Sequence, residues 1–229
     1  DYHANRPNAN LGLGAISQQI AEARGEARNC LLFDNGDFLQ GNPLADYAAT
    51  ARRRRAHPVI TAFNTLGYDA ATLGNHEFDY GLRFLSEVLA DAQFPVVSAN
   101  IATRLGPSPA RDETLVPPFT ILRRQIFDHE GRAHVLRIGV IGFAPPQIAE
   151  WDRDTPDAQV HTRDILSAAR AWLPRLRARG ADIIVAHMGV TTGGAIGATS
   201  SQSLEDCVTE IDAIAAAARA VRDDIIILC

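Results

Sequence analysis

The segment LGNHEFDYG, Leu73 to Gly81, lies between the apolar run YDAATLG and a second helical pattern. It carries an asparagine, a histidine, a glutamate and an aspartate, which is far more donor and acceptor chemistry than a turn between a strand and a helix requires. A strand, a glycine-containing turn and a helix in succession are typical of an open α/β sheet, in which ligands bind at the carboxyl edge. The segment therefore predicts both an α/β fold and a functional site at the edge of a sheet.

The hydrophobic pattern along the rest of the chain alternates between helical and strand periodicity. Helices are predicted at Leu13 to Arg24, Pro43 to Arg55, Pro58 to Leu66, Gly81 to Ala92, Arg163 to Arg179 and within Leu204 to Arg222. Strands are predicted at NCLLFD, YDAATLG, FPVVSANI, FTILRRQIF, HVLRIGVIGF, ADIIVAH and DIIILC. The two long strands flank DHEG, whose Gly131 suits a hairpin turn, so this pair is expected to be antiparallel. Loops are predicted at RLGPSPARDETLVPP, APPQIAEWDRDTPD and GVTTGGAIGATSSQS.

The composition excludes several classes of function. The chain has 229 residues, 46% of them apolar, which is sufficient for a globular core. With 22 Lys and Arg against 27 Asp and Glu, the formal net charge is −5, so a nucleic-acid polymer is not an expected partner. No apolar run approaches the roughly 20 residues that span a bilayer, and no charged-then-apolar leader stands at residue 1, so no membrane partner is expected. Cys30, Cys207 and Cys229 lack CxxC spacing, so neither structural zinc nor a disulfide framework is predicted.

Metal-capable side chains follow three of the predicted strands. Asp37 lies in LLFDNGD, Asn75 in ATLGNHE and His187 in IIVAHMG, each just past the carboxyl end of an apolar run. Hard oxygen donors and an imidazole, without a thiolate, suit Mn, Zn, Fe(II) or Mg. If Asp37 bridges two such cations and Asn75 and His187 complete one site, the pair could bind a phosphoryl group and activate water. His76 could then donate a proton to the leaving oxygen, and Asp79 could hold His76 protonated and correctly oriented.

Each of these residues also has a purely structural interpretation. His76 could serve only as a hydrogen-bonding turn residue, and Asp79 could cap the helix that begins near Tyr80. His187 could be a buried histidine whose polar atoms are satisfied within the core. The run Arg52 to Arg55 could attract phosphate, but a solvated helix end favoured by the helix dipole explains it more simply. The clustering of these residue types within one short turn favours a functional site.

Five motifs stand in a characteristic order along the chain: DNGDFLQGNPLADY, LGNHEFDYGL, FPVVSANI, IGVIGFAPPQI and GADIIVAHMG. In sequence and spacing they resemble the metallophosphoesterase domain of the 5′-nucleotidase family, and within it the branch of bacterial 2′,3′-cyclic-nucleotide 2′-phosphodiesterase/3′-nucleotidases. The resemblance implies a calcineurin-like α/β/β/α fold, in which two mixed sheets pack face to face with helices outside.

The resemblance also implies roles for individual residues. In that family, the positions matching Asp37, Asn75 and His187 bind divalent metal ions, two in all, with the aspartate bridging them, and those matching His76 and Asp79 form the catalytic dyad. Asn75 is also expected to contact the substrate. The implied activity is hydrolysis of small nucleotide phosphoesters, most simply 2′,3′-cyclic nucleotides and 3′-mononucleotides, in the periplasm. Because an aspartate at position 79 is commoner among 5′-nucleotidases, a 5′-nucleotidase or sugar-nucleotide hydrolase is one alternative, and an inactive metal- or nucleotide-binding remnant is another.

Two ligand motifs of the family have no intact counterpart in this sequence. The family begins with a strand that ends in D-x-H and places GH-x-H after a later strand. The letters DYH at Asp1 to His3 match the first motif without a preceding strand, and the chain stops in DDIIILC where the second would begin. Residues 1–229 are therefore expected to form a single metallophosphoesterase domain trimmed at both ends, without the family's second, nucleotide-binding domain.

The isolated 229-residue chain is predicted to bind at most one divalent ion, weakly, through Asp37, Asn75 and His187, and to hydrolyse phosphodiesters hardly or not at all. The reason is that a two-metal site needs more ligands than these three side chains supply. Calorimetric titration with Mn²⁺ and an assay on 2′,3′-cyclic AMP check this expectation. Tight binding of two ions with rapid turnover would contradict it and would assign ligand roles to Asp1 and His3.

Overall fold

A computed structural model describes residues 12–51, 56–151, 160–189 and 225–228 of the chain. Within these ranges the helices are α1 (Leu13–Glu26), α2 (Pro43–Thr50), α3 (Pro58–Leu66), α4 (Gly81–Leu89), α5 (Ile148–Trp151) and α6 (Ile165–Ala178). The strands are β1 (Phe33–Asp34), β2 (Ala70–Thr72), β3 (Val96–Val97), β4 (Ile101–Arg104), β5 (Glu113–Thr114), β6 (Phe119–Phe127), β7 (Ala133–Phe143), β8 (His161–Thr162), β9 (Ile183–Met188) and β10 (Ile225–Leu228). None of the helices in these ranges is long and apolar enough to cross a membrane.

Two sheets stack face to face at the centre of the described part of the chain. In the first, β1, β2 and β3 are parallel neighbours; in the second, the order is β10-β9-β7-β6, with only β6 antiparallel to its neighbour. Apolar side chains from both sheets fill the space between them: Ala70, Val97, Leu122, Ile138, Val140 and Val185. Gly142 in β7 lets the sheets approach closely, because a Cβ there would lie 2.1 Å from the hydroxyl oxygen of Thr72. The predicted pair of stacked sheets is confirmed, except that the described strands of the first sheet are purely parallel and not mixed.

Helices cover the outer faces of both sheets because each carries an apolar stripe. Ile60 and Phe63 of α3 and Leu85 of α4 pack in one core cluster with buried residues of the first sheet. Leu173 and Leu176 of α6 pack in another cluster with the second sheet. The layer order is therefore α/β/β/α, as predicted.

Local signals in the sequence placed several element boundaries correctly. Helix α3 covers Pro58–Leu66 as predicted, with His57 capping its first turn and Gly67 ending it at a φ of 66°. The hairpin of β6 and β7 is antiparallel, and Gly131 adopts a φ of 82° in its turn. The helix predicted within Leu204 to Arg222 lies outside the described residues.

Three predictions from the sequence pattern are wrong. FPVVSANI does not form one strand, because β3 ends at Val97 and the chain then enters β4 of a third sheet with the order β5-β4-β8. Asn100 fixes the break, since its carboxamide binds the backbone of Ala144 in both directions and the carbonyl of Arg163. The predicted loop APPQIAEWDRDTPD contains helix α5, and RLGPSPARDETLVPP contains a 3-10 turn and β5.

A largely buried ion pair anchors the third sheet. The Arg163 guanidinium donates two hydrogen bonds to the Asp112 carboxylate, at 2.9 and 2.8 Å, and one to the carbonyl of Gly106 at 2.6 Å. The Asp112 side chain is 3% exposed and also accepts the backbone N–H of Gly106. The hydrogen bonds from Arg163 lower the pKa of Asp112 below its usual range. The pair thus joins the chain just before β5 to the chain just after β8.

Replacing Arg163 by methionine is expected to lower the free energy of unfolding by roughly 2–3 kcal/mol, because the change leaves the Asp112 carboxylate buried without its partner. The matched control is Arg104→Met, which breaks an ion pair with Glu113 whose side chains are 75% and 59% exposed. That change should cost less than about 1 kcal/mol. Urea unfolding at neutral pH measures both variants, and equal losses would contradict a special role for the buried pair.

The same pair has a defined pH dependence. Because the pKa of Asp112 is lowered in the folded state, its stabilisation is fully present above the ordinary aspartate pKa of about 3.9 and is lost as the pH falls through the lowered value. The difference in unfolding free energy between the wild-type chain and Arg163→Met should therefore shrink toward low pH.

Candidate active site

The loops that follow β1, β2 and β9 meet at one end of the stacked sheets. A Cβ added to Gly36 would lie 2.2 Å from the amide nitrogen of Gly74, and one added to Gly74 would lie 2.2 Å from the Asp37 carboxylate. A Cβ on Gly189 would lie 2.6 Å from the carbonyl oxygen of Leu73. Only a hydrogen atom fits at these three positions, so glycine lets the loops touch. The meeting point of these three loops is called the rim below. Because β9 belongs to the second sheet, the rim crosses both sheets, whereas the sequence suggested the edge of a single sheet.

Asp37 stands in this rim with an unusual backbone conformation. Its φ of 63° is positive, and among the described residues no other non-glycine residue shares this feature. Its carboxylate accepts the backbone N–H of His76 at 3.0 Å. The left-handed conformation costs an aspartate of the order of 1 kcal/mol, and residues held in it by their surroundings cluster at functional sites.

The buried carboxylate of Glu77 holds the Asp37 loop against the next turn. Its Oε2 accepts the N–H groups of Asp37 at 2.8 Å and Gly74 at 2.6 Å, and its Oε1 accepts those of Phe38 at 2.7 Å and Leu39 at 3.2 Å. Burial raises the pKa of Glu77 to about 7, while hydrogen bonds from the backbone favour the charged form. One side chain therefore sets the distance between two of the three loops.

His76 and Asp79 form a half-exposed pair beside Asp37. Nδ1 of His76 lies 3.0 Å from Oδ2 of Asp79, and the two side chains are 40% and 30% exposed. Burial opposes protonation of His76, but the hydrogen bond to Asp79 and the nearby carboxylates, that of Asp37 foremost, outweigh it and raise its pKa. Helix α4 begins after Tyr80 without a side-chain cap, so the interpretation of Asp79 as a helix cap is wrong.

Two buried polar atoms of the rim have no hydrogen-bond partner among the described residues, Oδ1 of Asn75 and Nε2 of His187. Burial lowers the pKa of His187 to about 4, so its imidazole is neutral at pH 7. A buried polar atom without a partner is costly, and both atoms are of the kinds that bind divalent cations. Together with the Asp37 carboxylate they fit a metal site. Among the described residues, no three His, Cys, Asp or Glu side chains are grouped so that they could hold a metal ion by themselves. At this site the third ligand would be the carboxamide of Asn75.

The structure brings the predicted site residues to one rim. Hydrogen bonds join Asp37 to His76 and His76 to Asp79. His187 is joined to the same loops through Asn35, whose carboxamide lies 2.9 Å from Nδ1 of His187. The ligand and catalytic roles of these residues, and the substrate contact of Asn75, remain predictions.

Sequence reasoning missed three residues that position these groups. They are Glu77, Asn35 and Asp46, the last of which accepts a hydrogen bond from the Tyr80 hydroxyl and so ties α2 to the turn. Each is a polar residue within one of the quoted motifs that the ligand set leaves unassigned. Their place within these motifs was the sequence signal that could have identified them.

The remaining candidate residues lie outside the described part of the chain. They are Asp1 and His3 of the DYH segment, and the run Arg52 to Arg55.

Comparison with known proteins finds long sequence matches. The 2′,3′-cyclic-nucleotide 2′-phosphodiesterase/3′-nucleotidase of Haemophilus influenzae is 39% identical over 193 residues, which are 82% of this chain and 29% of that protein. The protein of the same name from Salmonella typhimurium is 42% identical over 195 residues, which are 83% of this chain and 29% of that protein. The chain therefore spans about three tenths of the length of these curated relatives.

The fold comparison agrees with the sequence matches. The crystal structure of the calcineurin-like phosphoesterase YfkN from Bacillus subtilis superposes with a TM-score of 0.74 and 38% identity, covering 87% of this chain and 59% of that one. A family model described as phosphoenolpyruvate hydrolase-like matches residues 168–229. This last match leaves out the segments that contain Asp37 and His76.

Replacing Glu77 by glutamine is expected to lower the free energy of unfolding by roughly 2–4 kcal/mol. The amide NH₂ would face two backbone N–H donors, so two buried hydrogen bonds are lost and their donors left unsatisfied. The matched control is Glu87→Gln on α4, whose side chain is 66% exposed and pairs with Arg83; this change should stay within about 0.5 kcal/mol. Urea unfolding of both variants is the measurement, and a neutral Glu77→Gln variant would contradict the role of this carboxylate.

Proposed function

Because the chain belongs to the calcineurin-like phosphoesterases of the 5′-nucleotidase family, we propose that it supplies the catalytic domain of a divalent-metal-dependent hydrolase of nucleotide phosphoesters. The preferred substrates are 2′,3′-cyclic nucleotides, which are opened at the 2′ ester bond, followed by 3′-mononucleotides. The observation that carries the proposal is the hydrogen-bonded pair of His76 and Asp79 beside Asp37, on the same rim as two buried atoms suited to a metal ion.

Asp37, Asn75 and His187 would hold the metal, which is of the Mn, Zn, Fe or Mg kind. A bound divalent cation supplies Lewis-acid polarisation of the phosphoryl group and lowers the pKa of a coordinated water. The chain's own contribution is to hold these ligands in place and to shield them largely from solvent. The family resemblance implies a second ion, and the Asp37 carboxylate would be a ligand of that ion as well.

His76 would act as the proton donor to the leaving oxygen. Its Nδ1 is hydrogen-bonded to the Asp79 carboxylate at 3.0 Å. Nε2 is therefore the ring nitrogen available to a substrate. The neighbouring carboxylates raise its pKa, which favours the protonated imidazolium that a general acid requires. Asp79 orients the ring and stabilises its charge.

The substrate is a small nucleotide and not a polymer, in keeping with a net charge of −5 that offers no basic footprint for a nucleic-acid backbone. The carboxamide of Asn75 is assigned a second role in contacting the phosphoryl group. By family resemblance the reaction takes place in the periplasm. The competing assignment is a 5′-nucleotidase or sugar-nucleotide hydrolase, which the aspartate at position 79 favours. A catalytically inactive binding module remains the alternative outside enzymes.

In the full-length protein, His76→Ala should lower kcat on 2′,3′-cyclic AMP by about 10²- to 10⁴-fold while metal content stays unchanged, because His76 moves a proton and binds no metal. Asp37→Ala should instead lose metal. A matched control is His134→Ala, which removes a second histidine–aspartate pair, with Asp128 at 2.9 Å, outside the site. This control should leave both activity and metal content unchanged.

Elemental analysis of the purified variants and steady-state kinetics provide the two readouts. An empty site in His76→Ala together with a full site in Asp37→Ala would show that the two roles are wrongly assigned. A faster reaction with 5′-AMP than with 2′,3′-cyclic AMP would favour the 5′-nucleotidase alternative.

A further inference from the structure

The side chain of Asn35 bridges the loop after β1 and the end of β9. Its Nδ2 donates a hydrogen bond to the carbonyl of Met188 at 3.1 Å, and its Oδ1 lies 2.9 Å from Nδ1 of His187. None of the ligand or catalytic roles described above involves this residue. Its contacts nevertheless determine which ring nitrogen of His187 carries the hydrogen atom.

These two contacts determine the orientation of the Asn35 carboxamide. The Met188 carbonyl can only accept a hydrogen bond, so it must face the NH₂ group of the carboxamide. The carboxamide oxygen then faces Nδ1 of His187, and an oxygen without hydrogen can only accept. Nδ1 of His187 therefore carries the hydrogen atom.

The other ring nitrogen of His187 is then left with a lone pair. In a neutral imidazole one nitrogen is a donor and the other an acceptor. Nε2 is buried and has no hydrogen-bond partner among the described residues. The ring of Phe33 packs edge-on against the imidazole, at 5.0 Å between centroids and 71° between planes, which restricts rotation of the ring. A flipped ring would place a carbon atom against Asn35 and lose the hydrogen bond.

We propose that Asn35 is a positioning residue that fixes His187 in the Nδ1–H tautomer and thereby directs the Nε2 lone pair toward a divalent cation. The tautomer rests on the hydrogen bonds alone, whereas the cation rests on the proposed function. Partners of this type are generally worth 10- to 100-fold in metal affinity, because they orient the ligand and fix its tautomer. The competing explanation is that Asn35 only ties two loops together.

The test compares three variants of the full-length protein. Asn35→Leu has a similar size but offers no acceptor to Nδ1 of His187. Asn35→Asp keeps the acceptor and loses the donor to Met188. Asn29→Leu is the matched control. The Asn29 carboxamide also binds backbone groups: it donates to the carbonyl of Phe127 and accepts the N–H of Phe127, both at 2.8 Å. Phe127 lies at the turn end of the β6–β7 hairpin, away from His187.

The first readout is the tautomer of His187 in metal-free protein labelled with ¹⁵N-histidine. Long-range ¹H–¹⁵N correlation spectra distinguish a protonated ring nitrogen from one with a lone pair, and His187→Gln identifies the signals by their loss. The wild-type protein, Asn35→Asp and Asn29→Leu should show protonated Nδ1. Asn35→Leu should shift the population toward protonated Nε2. A role limited to tying loops would give the same spectrum for Asn35→Leu as for Asn35→Asp.

The second readout is Zn²⁺ affinity by calorimetry. Asn35→Leu should bind about 10- to 100-fold more weakly than the wild-type protein, and Asn35→Asp should recover most of the loss. Protonated Nε2 in the wild-type protein, or an unchanged tautomer in Asn35→Leu, would overturn the proposal. Unchanged Zn²⁺ affinity in Asn35→Leu would overturn its metal-directing half. If both readouts behave as expected but the protein hydrolyses no nucleotide, the proposed function fails and this inference stands.

Discussion

Four backbone N–H groups converge on the Glu77 carboxylate, and the geometry of the rim depends on them. Strands β1 and β2, which lead into the loops of Asp37 and His76, are only two and three residues long. Hydrogen bonds between strands therefore stabilise little of this region. A buried carboxylate is expensive unless donors surround it, and four donors offset that cost. Because the donors come from both loops, neither loop can move without breaking them. The position of Asp37 relative to His76 is thus set by a residue that takes no part in the proposed chemistry.

Backbone contact is the second constraint on the rim. Gly36, Gly74 and Gly189, where the loops meet, leave no room for a Cβ, so the loops touch through their main chains. Asp37 occupies a left-handed conformation within this contact. Glu77 accepts its N–H, and the Asp37 carboxylate in turn accepts the N–H of His76. Strain at one residue is therefore balanced by hydrogen bonds that orient the same residue's carboxylate, which is how a site can be formed before any ligand is bound.

The parts of the fold that depend on near neighbours were predictable, and those that depend on distant partners were not. Helix α3 was predicted to the residue because proline and glycine mark its ends. The switch of the chain from β3 to the third sheet was missed because Asn100 finds its partners 44 and 63 residues away. Residue types at strand ends indicated the candidate ligands. Glu77 and Asn35 were overlooked because their roles come from contacts across 40 and 152 residues of sequence.

The two histidines of the rim differ in burial, and this difference matches the two tasks proposed for them. His187 is fully buried, and burial lowers its pKa to about 4, so it offers a neutral ring with a lone pair, as a metal ligand must. His76 is 40% exposed, and although burial opposes it, the hydrogen bond to Asp79 and the nearby carboxylates raise its pKa. This favours a protonated ring that can exchange its proton with solvent or substrate. Environments that push the pKa values of two like groups apart separate their functions. Exchanging the surroundings of the two rings would leave a charged ligand and a neutral acid, and neither could serve phosphoester hydrolysis.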